Sequence, residues 1–115
     1  LRTLSGAVLT HQGAPCWAVI TADGRFGYTG NGAGSVSGFS IRPNGRIELL
    51  DANGASAGLG GGVNDIALSG GSRYLYVLQV SNGPAIQAYR VGDNGSLTAL
   101  GAVSVPDGAR GLAAF

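Results

Sequence analysis

Residues Asp65–Leu100, DIALSGGSRYLYVLQVSNGPAIQAYRVGDNGSLTAL, decide the fold. Runs of aromatic, β-branched and aliphatic residues are separated by Ser-Gly-Gly-Ser, Ser-Asn-Gly-Pro and Gly-Asp-Asn-Gly, the composition of short strands joined by tight turns. Strands are expected at Asp65–Ser69, Arg73–Val80, Ala85–Val91 and Ser96–Val103. The second of them contains YLYVLQV, almost wholly apolar, as suits a strand covered on both faces. The fourth contains SLTAL, which alternates as a half-exposed outer strand does.

The same pattern occurs earlier in the chain. Residues 21–29, TADGRFGYT, align with residues 69–77, SGGSRYLYV, and residues 38–45, GFSIRPNG, align with residues 88–95, AYRVGDNG. The earlier copy is expected to have strands at Trp17–Thr21, Arg25–Gly30, Ser35–Ile41 and Arg46–Leu50. Ala22-Asp23-Gly24 and Pro43-Asn44-Gly45 supply its turns, because Asp-Gly and Asn-Gly readily take positive φ. A four-stranded unit repeated at this spacing is a β-propeller blade. The expected fold class is therefore all-β: four-stranded antiparallel blades forming an incomplete ring of about two blades plus flanking strands.

Within this plan residues 1–10 read as the outer strand of a preceding blade, and residues 15–50 and 63–103 as the two blades. Residues 51–62, rich in Gly, Ala and Ser, read as the loop between them. The ending GARGLAAF echoes GAPCWAVI at residues 13–20, so residues 109–115 read as a ring-closing inner strand. Two registers of that echo, one residue apart, stay open, and one residue decides which face a side chain takes. Propellers use about four to eight blades. The chain is thus expected to be the C-terminal third of a larger propeller, its partners being the remaining blades or other copies of itself.

Composition removes several function classes. The chain has 115 residues, 44% of them hydrophobic, which is ample for a core. Its net charge is +1, and its seven basic residues are all scattered arginines. That gives no stripe for nucleic acid and no basic amphipathic face for a membrane. No apolar run approaches the roughly 20 residues of a membrane span. Leu1–Thr10, LRTLSGAVLT, lacks the apolar core of a signal peptide. The single cysteine, Cys16, excludes an internal disulfide and a cysteine-based zinc site, and the six acidic residues show no metal-ligand spacing. Gly58–Gly62 lacks the Lys-Ser ending and following helix of a phosphate loop. No metal is expected, and the compartment is left open.

Propellers bind ligands near the mouth of the central channel, so the residues entering the inner strands matter most. These are Cys16, Asn64 and Arg110, with His11 slightly upstream. Arg110 could clamp a carboxylate or phosphate bidentately, and His11 could act as a general base. Asn64 and Asp65 could hydrogen-bond a ligand or cap the turn into the strand. Cys16 has no basic sequence neighbour to activate it. Trp17, Tyr28, Tyr74, Tyr76 and Tyr89 recur at equivalent strand positions and read as core packing.

The stretch ADGRFGYTGNGAGSVSGFSIRPNGRIELLDANG, followed by NDIALSGGSRYLYVLQ, resembles the lactonase-type seven-bladed propellers. That group includes 6-phosphogluconolactonase-like and carboxymuconate-cyclising proteins. Ser72–Val77 and Asp93–Thr98 match the same pattern in the second blade, while Gly27 and Gln79 depart from it. The resemblance implies a parent protein that hydrolyses or forms a sugar-acid-type lactone on Arg110 and His11, without a cofactor. A small acidic lactone would be its substrate, and this chain alone would be inactive. The alternative is a propeller that binds or scaffolds without catalysis.

Overall fold

A computed structural model describes residues 1–115. It contains nine strands: β1 Pro15–Ile20, β2 Phe26–Asn31, β3 Ser35–Ile41, β4 Ile47–Leu49, β5 Ala57–Gly58, β6 Val63–Leu68, β7 Tyr74–Gln79, β8 Ala85–Val91 and β9 Leu97–Ser104. They form two antiparallel sheets, ordered β1-β2-β3-β4 and β6-β7-β8-β9. Each is one blade of the all-β propeller architecture expected from the sequence. No helix is long and apolar enough to cross a membrane.

The turns explain the regularity. Gly24, Gly45 and Gly95 hold φ of 70°, 83° and 82°, a region in which a Cβ is strained and glycine is not. Asp23, Asn44 and Asn94 each accept the backbone N–H two residues on, which closes the turn locally. β3 and β8 fall where the sequence puts them, and the other strands expected within the two blades shift by only one or two residues.

The blades stack face to face. Phe26, Tyr28 and Val36 of the first and Val63, Ile66, Leu75, Val77 and Tyr89 of the second form one buried cluster. Gly30 permits the approach. A Cβ there would lie 2.7 Å from Val63 Cγ1 and 3.1 Å from Ile66 Cγ2.

Four expectations need correction. Residues 1–10 form no strand. Leu4 instead lies against Gly45, and Ser5 Oγ accepts the Ile47 N–H, so the segment rests on the first sheet without a backbone ladder. Residues 109–115 likewise form no strand. They run beside β6, held where Asn64 Nδ2 donates to the Arg110 carbonyl and Leu112 N–H donates to Asp65 Oδ2. Side-chain links cannot define strand pairing. The loop 51–62 contains β5, which pairs Gly58 with Ser35 and Ala57 with Val36, so the outer strand of this blade is split by residues 50–56. Trp17 is not core: it is 42% exposed, with φ of 43° at a bulge.

Candidate functional site

The heads of β1 and β6 lie at the same end of their sheets and share one irregularity. In β1 the register slips between Cys16 and Ala18, and in β6 between Val63 and Asp65. The extra residues are Trp17 and Asn64. A bulge re-aims side chains where a strand meets a binding surface, and here both blades carry one near the start of the inner strand, one residue apart in the repeat.

Three of the residues singled out from the sequence come together at the β6 bulge. The Asn64 amide donates to the Arg110 carbonyl at 2.9 Å. Asp65 Oδ1 accepts the Ile66 N–H, and Oδ2 accepts the Leu112 N–H, both at 2.8 Å. The Arg110 guanidinium is exposed, and Nη1 donates to the Ala109 carbonyl at 3.0 Å. Asn64 and Asp65 thus hold the backbone of residues 110–112 in place, and the Arg110 guanidinium, bonded only to the Ala109 carbonyl, is open to solvent. The arrangement can present a charged donor pair to a carboxylate or phosphate.

His11 is not joined to this group. It is exposed in a loop, with φ of 57°, and no hydrogen bond or ion pair links it to Asn64, Asp65 or Arg110. Its neighbour Gln12 donates from Nε2 to the Asn53 carbonyl and accepts the Ser35 hydroxyl. Cys16 is a free, exposed thiol.

Sequence reasoning missed a buried polar set. Asn31 Nδ2 donates to Ser35 Oγ and Ser37 Oγ, both at 2.9 Å, while its Oδ1 is unpartnered. Gln79, at the same place in the second blade, donates from Nε2 to the Ser81, Asn82 and Gly83 carbonyls, and its Oε1 is also unpartnered. The signal was present as the alignment of Asn31 with Gln79. Both amides fasten the turn after the second strand.

A larger open groove of about 1090 Å³ lies at the opposite end of the sheets, bounded by Arg2, Arg25, Arg42 and Asn94. Two of its three arginines are already engaged. Arg42 pairs with Glu48 at 2.8 Å, and Arg25 lies 5.1 Å from the Phe26 ring centroid. The Arg42 guanidinium, by hydrogen bond and charge, holds the Glu48 carboxyl below its ordinary value. The Thr21 hydroxyl and the Arg25 amide do the same for Asp23.

No family model matches the sequence, and no curated protein matches it. Solved structures do. A presumed 6-phosphogluconolactonase of Bacteroides fragilis superposes with a TM-score of 0.72 at 26% identity, over 84% of this chain and 28% of that one. A second such protein, from Bacteroides uniformis, gives 0.71 at 25% identity, over 84% and 29%. The periplasmic gluconolactonase of Pseudomonas aeruginosa gives 0.65 at 31% identity, over 79% and 26%. Stacked four-stranded blades with bulged inner strands place the chain among the β-propellers. More narrowly, it carries two blades of the lactonase-type propeller fold, like the 6-phosphogluconolactonase and gluconolactonase structures it superposes on. It spans less than a third of the length of each of them.

Proposed function

We propose that this chain is part of a lactonase-like propeller whose complete ring hydrolyses, or forms, the lactone of a sugar acid. The remaining blades are its partners, and the 115-residue chain alone is inactive. The observation that carries the reading is the exposed Arg110 beside the β6 bulge, where Asn64 and Asp65 hold the backbone of residues 110–112. Its support from outside is that three of the matching structures are named for lactonases of sugar acids.

In hydrolysis, water adds to the ring carbonyl and loses a proton to a base. The carbonyl oxygen carries negative charge until the ring C–O bond breaks and the ring oxygen takes up a proton. Arg110 would bind the substrate's anionic group or that oxyanion, with Asn64 and Asp65 positioning it. His11 is the base this chain offers. Blades outside this chain would have to bring it and the Arg110 guanidinium to one substrate.

A second reading, a non-catalytic binding or scaffold propeller, is favoured by one observation. The Asn64 amide and Asp65 carboxylate are both spent on the backbone of residues 110–112.

Gluconolactone and 6-phosphogluconolactone hydrolysis, followed by acid release in a complete ring containing this sequence, separates the two. Arg110→Ala is expected to lower kcat/KM by about 100-fold, the effect of losing one charged donor. A ring that binds a sugar acid without turnover establishes the second reading. Turnover by the isolated chain overturns its inactivity.

A further inference from the structure

Asn-Gly occurs five times, at Asn31, Asn44, Asn53, Asn82 and Asn94. Asparagine is chemically labile there, because glycine has no side chain to shield its backbone nitrogen from the amide before it. That nitrogen attacks the asparagine side-chain carbonyl when both groups are free to approach. Four of the five pairs are blocked. The N–H of Gly32 donates to the Ala14 carbonyl, Gly45 to Arg42, Gly54 to Asp51 and Gly95 to Gly92, at 2.8–2.9 Å. The side-chain oxygens of Asn44, Asn53 and Asn94 are held as well, each accepting the N–H two residues on. Asn31 is fully buried, away from the water the reaction needs.

Asn82-Gly83 has neither restraint. Both residues are exposed in the turn that joins β7 to β8. The Gly83 N–H donates to no backbone carbonyl, and the Asn82 side-chain oxygen accepts no hydrogen bond. One bond holds the amide: Nδ2 donates to the Gly60 carbonyl at 2.9 Å.

We propose that Asn82 is a self-modification site, deamidated through attack by the Gly83 nitrogen with water as the co-reactant. The Gly83 nitrogen gives its proton to solvent base and bonds to Asn82 Cγ. The Cγ–Nδ2 bond breaks, and Nδ2 takes up a proton and leaves as ammonia. Water then opens the five-membered imide at either carbonyl. Opening at Cγ gives aspartate, and opening at the main-chain carbonyl gives isoaspartate, whose backbone runs through Cβ and is one atom longer.

The turn is built to feel the change. A carboxylate has no proton to donate, so the bond to Gly60 is lost and a negative charge faces that carbonyl. Gln79 Nε2 gathers the Ser81, Asn82 and Gly83 carbonyls, and a lengthened backbone moves the last of these away. Ser81 Oγ still accepts the Gly62 N–H, so the turn loosens without detaching from the loop between the blades. Val63 pairs with Gln79, which puts the new charge at the end of the sheet where β6 begins and Arg110 lies.

The test incubates the folded 115-residue chain in mildly alkaline buffer and maps it with trypsin and mass spectrometry. The peptide Tyr74–Arg90 has Asn82 as its one asparagine and should gain the mass difference between an amide and an acid. It should do so about fivefold faster than Asn44, Asn53 or Asn94, where one more net hydrogen bond must break first. In urea the five pairs should react at similar rates. In NMR spectra of the ageing sample the Gln79 side-chain amide should shift in step with the new mass. Another pair reacting first in the folded chain, or the same ranking in urea, overturns the proposal. A modified Asn82 beside an unmoved Gln79 amide overturns the loosening of the turn. Lactone turnover plays no part in this readout, so the site stands or falls apart from the proposed function.

Discussion

Tyr28 is 1% exposed beneath the second blade, whereas Tyr76, its counterpart on β7, is half-buried on a face that no other sheet covers. The flanking pair differs in the same way: Phe26 is buried, while Tyr74 is half-buried. The two stretches are nearly the same sequence, so burial here comes from place in the stack rather than from the residues. Each blade offers one face to its successor, and only the first has a successor in this chain. A repeat built this way gains stability from neighbour interfaces as much as from its own sheet.

The largest consequence is an unequal response to truncation. Tyr28→Ala should cost about 3–5 kcal/mol, the range for removing a buried aromatic side chain. Tyr76→Ala should cost about 1 kcal/mol, because less apolar area leaves contact with protein. Urea denaturation of both variants measures the difference. Equal losses would mean that the second blade's outer face is as well packed as the interface, and the comparison would fail.

The repeat, its turns and most strand positions were legible because Asp-Gly and Asn-Gly bracket apolar runs on both sides. Ser35–Ile41 and Ala85–Val91 were bounded to the residue for that reason. Ala57–Gly58 was not legible, since neither side chain favours a strand and only pairing with Ser35 and Val36 creates one. The apolar character of residues 1–10 and 109–115 was visible, but a strand also needs a backbone ladder, and both segments are held by side-chain links instead. Trp17 was read as core because it was taken to recur, with the tyrosines, at equivalent strand positions. The bulge that turns it outward depends on a register slip against β2 that no local pattern announces. At the site, the repeat brought out Asn64, Asp65 and Arg110 as heads of inner strands. That Asn64 and Asp65 would grip the backbone of residues 110–112, away from His11, depends on tertiary placement of the terminal segment.

A second contrast lies at Gly30, whose counterpart is Leu78, 1% exposed. The first blade gives up a side chain where Val63 and Ile66 press in, and the second fills the same place with leucine. Gly30→Ala should therefore overpack the interface and cost about 1–3 kcal/mol. If contact with Val63 is the cause, Gly30→Ala combined with Val63→Ala should cost less than the sum of the two changes, because the new methyl fills part of the space that Val63 leaves. Additive losses in a thermal or urea double-mutant cycle would locate the strain elsewhere.

The smallest contrast is a single hydroxyl. Tyr28→Phe keeps the ring and leaves the Gly95 carbonyl without its donor, at a cost of about 0.5–1.5 kcal/mol, whereas Tyr76→Phe removes a hydroxyl with no partner and should be close to neutral. The phenol adds a pH dependence. Burial, helped by the negative charge of Asp23, pushes the Tyr28 pKa from 10.0 up to about 12. A folded value above the unfolded one favours the protonated phenol in the folded chain. That stability is fully present below pH 10 and is lost as the pH rises toward 12. Burial raises the Tyr89 phenol as well, with the same sign. Wild-type stability should therefore fall more steeply through this window than that of Tyr28→Phe, with the two curves converging at its alkaline end. Parallel curves would mean that the Tyr28 hydroxyl is open to water and that the two blades are less tightly closed than the hydrogen bond to Gly95 indicates.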